Sequence, residues 1–279
     1  MTTSDADITS TGEAVRDKAV EKWMELEGGG PAAFHPDFEG AVRDAFGYIV
    51  PMFEMYAQRD PDRIESMQGQ LTNVRATLKH SAPEAVDTVK GYVQDWEGRA
   101  AESFTTEFLQ PLPQIKTNQL QLVEELSKSL DVVREMLTSS RRDIVGIGRE
   151  TEAALDGLEN SGETALALSV VSNVVSMIGS GAGGNPAGVA ASVVSGGVDI
   201  ANSIMAYEQQ KLGGGDVMEV VDSMIKAHED LWTVRETVEE RLAELLGEDL
   251  GLVREMPDEH RPKMPDLAHL DREDFEPPL

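Results

Sequence analysis

A regular apolar repeat in the middle of the chain constrains the fold more than any other feature of the sequence. Apolar or small residues recur there at alternating steps of three and four, the spacing of a coiled-coil seam or a long bundle helix. This spacing predicts one helix over 114–160, roughly 70 Å long at 1.5 Å per residue. A helix of that length needs partner helices alongside it. The repeat consists of Val123, Leu126, Leu130, Val133, Leu137, Ser140, Ile144, Ile147, Thr151, Ala154 and Leu158.

Helical spacing also extends over most of the remaining chain. It predicts helices over 11–27, over 36–59 with a break or kink at Pro51, over 61–95 with a kink or restart at Pro83, and over 216–246. The first ten residues are polar and are expected to be loose. Aromatic residues make up only 5% of the chain, which suits helix-on-helix packing in narrow bundles. The sequence therefore predicts an all-α fold, an elongated helical bundle with a long coiled-coil-like central helix.

The pattern divides the chain into five segments. They are an N-terminal two-helix region (1–59), a helical hairpin with a long second helix (60–160), an uncharged Gly/Ser/Ala-rich helical hairpin (161–212), a C-terminal amphipathic helix (213–250) and a tail rich in proline and acid (251–279). The tail lacks a core-forming period and is expected to be disordered or loosely docked.

The charge of the chain limits its partners. Lys and Arg number 24 against 51 Asp and Glu, giving a formal net charge of -27. Neutralising phosphates needs a basic surface, so nucleic acid is excluded as a partner, and the same charge opposes an anionic membrane surface. No cysteine is present, so disulfides and thiolate metal sites are excluded. The first residues lack a basic region followed by an apolar run, so no cleaved secretory signal is expected.

No stretch of the sequence has the pattern of a catalytic, cofactor or metal site. The histidines are scattered, and H-E-D-L-W at 228–232 begins like a zinc-protease motif but has Trp232 where the second histidine belongs. The glycine cluster at 179–184 lacks both the lysine of a phosphate-binding loop and the preceding strand of a dinucleotide fold. A non-enzymatic protein without cofactor or metal is expected.

One segment stands apart because it has no charged residue from Thr164 to Val198. It is predicted to form two apolar helices, over 164–179 and 186–205, around a glycine-rich turn. Small residues at every fourth position, a spacing that permits close helix contact, line the second arm: Gly184, Gly188, Ser192 and Gly196. Three interpretations stay open, namely a hairpin buried in a helical assembly, a membrane-inserting hairpin of the pore-forming kind, and an oligomer contact.

A short motif, W-E-G-R-A-A-E-S-F, interrupts two helical segments and is placed at the tip of a hairpin. A glycine relieves backbone strain where the chain reverses, a tryptophan covers the apolar end, and paired alanines permit close helix contact. The motif residues are Trp96, Gly98, Ala100, Ala101 and Phe104. In these residues and the flanking helices, segment 60–160 resembles the WXG superfamily of type VII (ESX) secretion substrates. The resemblance implies a W-x-G-type helical hairpin and export by that route.

A second motif of the same secretion class is present at lower specificity. The Y-x-x-x-[DE] signal is matched by Tyr56 and Asp60, which precede the W-x-G as in the fused PE/PPE-like type VII substrates. The resemblance implies a helical protein that is cytoplasmic before export, then secreted or on the cell surface, and that assembles with itself or a helical partner. A pore-forming component that uses 164–205 for membrane contact is the first alternative, and an intracellular helical scaffold is the second.

Overall fold

The computed structural model describes residues 3–26, 37–158, 164–166 and 210–255. These residues form an all-α helical bundle, which confirms the predicted fold class. Two π-helical segments, Thr77–Ser81 and Phe104–Leu109, interrupt the α-helices. The elements in chain order are α1 (Asp5–Leu26), α2 (Phe38–Ala45), α3 (Ile49–Ala57), α4 (Pro61–Ala76), α5 (Ala82–Val93), α6 (Arg99–Ser103), α7 (Leu112–Asp156), β1 (Thr164–Leu166), β2 (Gln210–Leu212) and α8 (Val217–Glu255).

The chain divides into two compact units. The described residues of the first unit are 3–26, 37–64, 131–158, 164–166 and 210–241, and those of the second unit are 65–130 and 242–255.

Helix α1 begins earlier than predicted, because a capping box closes its first turn. The Ser4 hydroxyl accepts a hydrogen bond from the Asp7 backbone N–H at 3.1 Å, and the Asp7 carboxylate accepts one from the Ser4 backbone N–H at 2.9 Å. Each residue thereby satisfies an N–H group that lacks a partner in the first turn of a helix. The expectation that the first ten residues are loose is wrong from Ser4 onward.

The predicted helix over 36–59 is two helices, and the break lies at Phe46–Tyr48 rather than at Pro51. The Gly47 backbone N–H donates to the Asp44 carbonyl at 3.0 Å, which closes a turn between α2 and α3. Pro51 is the third residue of α3. In the first turn of a helix a missing N–H costs nothing, so proline is tolerated there.

The core of the first unit is formed by α1, α3, α7 and α8. The predicted apolar repeat of α7 is buried in this unit along Leu137, Ser140, Ile144, Ile147, Thr151 and Ala154. In the second unit Leu130 is buried and Leu126 is 37% exposed. In α8, apolar residues at helical spacing are buried as well, at Val217, Val221, Met224, Leu231 and Val238. Helix α7 matches its predicted span to within a few residues. The regular repeat therefore identified the face of α7 that is covered in the first unit.

Two predicted boundaries around the uncharged segment are corrected. Thr164–Leu166 is a short strand rather than the start of a helix, and it pairs antiparallel with Gln210–Leu212. A short apolar run does not distinguish strand from helix by its periodicity, and the pairing partner lies far along the chain. Helix α8 continues through Gly247 and Gly251 to Glu255, beyond the predicted end at 246. None of the helices in the described part of the chain is both long and apolar enough to span a membrane.

Candidate interaction site at the hairpin tip

The arms of the predicted hairpin run antiparallel within the second unit. Near the open end, the Arg75 guanidinium donates to the Glu124 carboxylate at 2.6 Å. Closer to the tip, Leu78 and Val86 line a groove together with Leu112 of α7. Contacts that pair early residues of one arm with late residues of the other define a hairpin, and they place Trp96 and Gly98 at its turn.

The backbone at the tip requires glycine. Helix α5 ends at Val93, and the Trp96 backbone N–H donates to the Val93 carbonyl at 3.0 Å. Gly98 then adopts a φ of 93° immediately before α6 begins at Arg99. A side chain at this φ clashes with the backbone, whereas glycine adopts the conformation at little cost. The W-x-G spacing is therefore explained by the geometry of the turn.

Three aromatic rings contact one another next to the turn. The Trp96 ring lies 6.0 Å from that of Phe104, and the Phe104 ring stacks on Phe108 with centroids 5.0 Å apart. Ala100 is buried and Ala101 is half-buried. Trp96, Gly98, Ala100, Ala101 and Phe104 thus lie together at the hairpin turn.

Two aromatic side chains near the tip are nevertheless largely exposed to solvent. Trp96 is 57% exposed and Tyr92, four residues earlier in α5, is 75% exposed, so Trp96 covers the apolar end only in part. A pocket of about 580 Å³ lies beside the ring, between the last turn of α5 and the π-helical segment Phe104–Leu109. Tryptophan and tyrosine are enriched where proteins bind one another. Sequence reasoning missed Tyr92 because it lies outside the motif, in the last turn of α5.

The first arm of the hairpin, residues 61–93, buries few of its side chains. No residue of α4, of the π-helical segment Thr77–Ser81 or of α5 is fully buried. Met67 and Val74 of α4 are 48% and 46% exposed. Within the described residues, this arm buries far less of its apolar stripe than α7 and α8 do in the first unit.

The Y-x-x-x-D motif of Tyr56 and Asp60 lies in the first unit, whereas the hairpin tip belongs to the second. Tyr56 is 1% exposed, in the last turn of α3, and its ring meets those of His228 and Trp232 edge-on at 5.6 Å and 6.1 Å. Burial raises the pKa of the Tyr56 hydroxyl and lowers the pKa of His228. Asp60 is exposed and accepts a hydrogen bond from the Asp62 backbone N–H at 2.8 Å at the start of α4. Tyr56 is a core residue of the first unit and Asp60 is a helix cap.

A charged network borders this aromatic cluster. The guanidinium of Arg235, which is 2% exposed, stacks 4.6 Å from the Trp232 ring, and its Nε donates to Glu239 at 2.9 Å. Glu239 also accepts a hydrogen bond from Arg59 at 2.8 Å. The residues that resembled a zinc motif therefore contribute to packing, and the described residues contain no group of three or more His, Asp or Glu suited to a metal ion.

Arg141 is a further buried cation, in α7, that sequence reasoning missed. Its guanidinium donates to the backbone carbonyls of Thr3 and Arg59, at 3.3 Å and 3.1 Å, and it pairs with the Asp5 carboxylate. It links the N-terminus of α1 to the segment after α3. Its position next to Ser140 of the regular repeat of α7 gave no signal of this role, because its acceptors are distant in sequence.

The predicted helix-contact residues Gly184, Gly188, Ser192 and Gly196 lie outside the described residues. The fold and the tip define the class of the protein, an all-α helical bundle with a hairpin that exposes two aromatic side chains. Comparisons with protein-family models, with curated proteins and with solved structures each find no match to this chain.

Proposed function

We propose that this chain is a non-enzymatic helical protein that is exported by a type VII-like secretion system and acts by helix-mediated assembly, with itself or with a helical partner. The observation that carries the proposal is the W-x-G motif at a hairpin turn with Trp96 57% exposed. The export route rests on the resemblance of that motif and its flanking helices to type VII substrates.

The surface of the hairpin supports assembly. Exposed Tyr92 and Trp96 at the tip adjoin an arm on which no residue is fully buried. Apolar surface left open in this way favours association, because burial of about 100 Å² of it contributes on the order of 2.5 kcal/mol. A second helical hairpin has the length and shape to cover such an arm.

The export proposal is tested with Trp96→Ala and Gly98→Ala in the native host. Both variants are expected to remain in the cells, whereas the wild-type protein accumulates in the culture filtrate. Met67→Ala, which removes another exposed apolar side chain of the hairpin, is the matched control and is expected to be exported normally. Unchanged filtrate levels of Trp96→Ala contradict the proposal and favour an intracellular scaffold.

Assembly is tested separately on the purified chain. Light scattering of the wild-type protein is expected to give a defined oligomer, and a Tyr92→Ser, Trp96→Ser double variant is expected to shift it toward monomer. A wild-type monomer at every concentration contradicts self-assembly and leaves a helical partner as the remaining form of the proposal. Circular dichroism of both proteins checks that the helices are retained.

A membrane-inserting protein is a second candidate, favoured by a specific observation. The β1–β2 pair joins the two ends of the stretch that contains the uncharged residues 167–198. Pairing of its two ends fixes where this stretch begins and ends, which suits a segment that is released as a unit. Here the uncharged segment would enter the bilayer.

Dye leakage from phosphatidylcholine vesicles tests this candidate, because a neutral surface avoids repulsion of a chain of net charge -27. Val171→Glu and Val193→Glu are expected to abolish leakage, since a charge in hydrocarbon costs several kcal/mol. Met218→Glu places the same charge on an exposed residue of α8 and is expected to leave leakage unchanged. Equal leakage by all variants rules the candidate out.

A further inference from the structure

An apolar groove runs along the hairpin, away from the tip. Leu78, Val86, Leu112 and Ile115 form its floor, and its volume is about 270 Å³. Ligand pockets usually measure about 300–1,000 Å³, so this groove suits one or two side chains of a peptide better than a large ligand.

Positive charge borders the groove. Lys90 and Lys116 lie among its lining residues, with Asp87 as the one acidic residue there. The Lys90 ammonium lies 3.4 Å from the Asp87 carboxylate, so the net positive charge of the lining corresponds to one lysine. In a chain with 51 acidic and 24 basic residues, a lining with two lysines and one carboxylate departs from the overall excess of acid. Such a surface is complementary to a segment that combines apolar side chains with acidic neighbours.

The chain itself carries such a segment after its last described helix. Helix α8 ends at Glu255, which belongs to the same compact unit as the groove. Residues 256–279 follow, and a chain of that length spans up to about 80 Å when extended. Residues 264–275 read M-P-D-L-A-H-L-D-R-E-D-F, in which two leucines three positions apart are flanked by carboxylates.

We propose that residues 264–275 dock in this groove, with Leu267 and Leu270 against its floor and the neighbouring carboxylates near Lys90 and Lys116. The regulatory role rests on the assembly proposed above: the docked segment covers apolar surface on the proposed assembly face, so it competes with a partner for the hairpin. The tail thereby regulates assembly. This docking does not depend on the export route or on membrane insertion.

The absence of cysteine permits a direct test in the full chain. Ala82, which lines the groove, and Ala268 are both replaced by cysteine, and disulfide formation is followed under mild oxidation. The matched control pairs Ala268→Cys with Gly69→Cys, because a Cβ at Gly69 meets nothing within 4 Å. The groove pair is expected to form an intramolecular disulfide at least about tenfold faster than the control pair, owing to its higher effective concentration.

Three further outcomes decide the proposal. Adding Leu267→Glu and Leu270→Glu to the groove pair is expected to reduce its rate to that of the control. Equal rates for the groove and control pairs overturn the proposal. Disulfides that form mainly between two chains also overturn it, because a second copy then supplies the occupant. Circular dichroism of every variant confirms a folded bundle, and failure of export in the native host has no bearing on these rates.

Discussion

Gly148 lies where α7 meets α1 and α3, and it shows how closely single residues fit in the first unit. A Cβ at this position would clash with the Thr11 methyl group and lie 2.9 Å from the Phe53 ring. Gly148→Ala is therefore expected to destabilise the protein by about 1–3 kcal/mol, the usual cost of overpacking. Chemical denaturation measures the change.

Gly69→Ala is the control for this prediction. Gly69 lies in α4 with open space around its Cα, so alanine is expected to stabilise the helix by up to about 1 kcal/mol. Equal effects of the two substitutions would mean that the close approach at Gly148 is absent in solution.

The burial of His228 makes the stability of the protein depend on pH. Burial against Tyr56 lowers its pKa below the ordinary value of 6.5, so the unfolded chain binds the proton more readily than the folded chain does. Stability contributed by neutral His228 is complete above pH 6.5 and is lost as the pH falls from there through the folded-state pKa. His228→Gln is expected to lose less stability than the wild type between about pH 7.5 and pH 5.5. Denaturant midpoints at the two pH values measure this.

The exposed His80 provides the comparison. His80→Gln is expected to keep the pH dependence of the wild type, because its ring is not packed in the core. A wild-type pH dependence in His228→Gln would show that other groups control acid stability.

At the scale of one element, a capping box explains why α1 begins at Asp5 rather than at residue 11 as predicted. Ser4→Ala removes the hydroxyl that accepts the Asp7 N–H. Loss of an N-cap is expected to lower the melting temperature by about 2–4 °C in a chain of this size. Ser10→Ala, which removes only an exposed bond to the carbonyl of Asp7, should shift it less; an equal shift would contradict a capping role for Ser4.

At the scale of the whole molecule, the net charge of -27 makes repulsion between like charges a global property of the chain. Salt screens this repulsion, with a Debye length near 10 Å at 0.1 M and about 3 Å at 1 M. The melting temperature at pH 7 is therefore expected to rise with sodium chloride. Near pH 4.4, the isoelectric point, the net charge vanishes and the salt effect should largely disappear. A melting temperature that falls with salt at pH 7 would indicate that ion pairs outweigh repulsion.

Some elements of this structure could be predicted from the sequence alone, and others could not. The span of α7 was predictable because its apolar repeat is long and regular. The end of α8 lies at Glu255 rather than at 246, because the helix continues through Gly247 and Gly251. Strand β1 was not predictable, since its partner lies far along the chain. At the candidate site, the motif located Trp96 and Gly98 at the turn, but Tyr92 was found only from its exposure.

The sequence by itself determined the all-α class and the position of the hairpin turn, because helical periodicity and a glycine at a positive φ are local properties of the chain. Only the tertiary structure decided which aromatic residues are covered. Tyr56 is 1% exposed and Trp96 is 57% exposed, although both lie in motifs that the sequence associated with export. Burial of a side chain depends on which other helix packs against it. At Tyr56 that helix is α8, which contributes His228 and Trp232 and lies far away in the sequence.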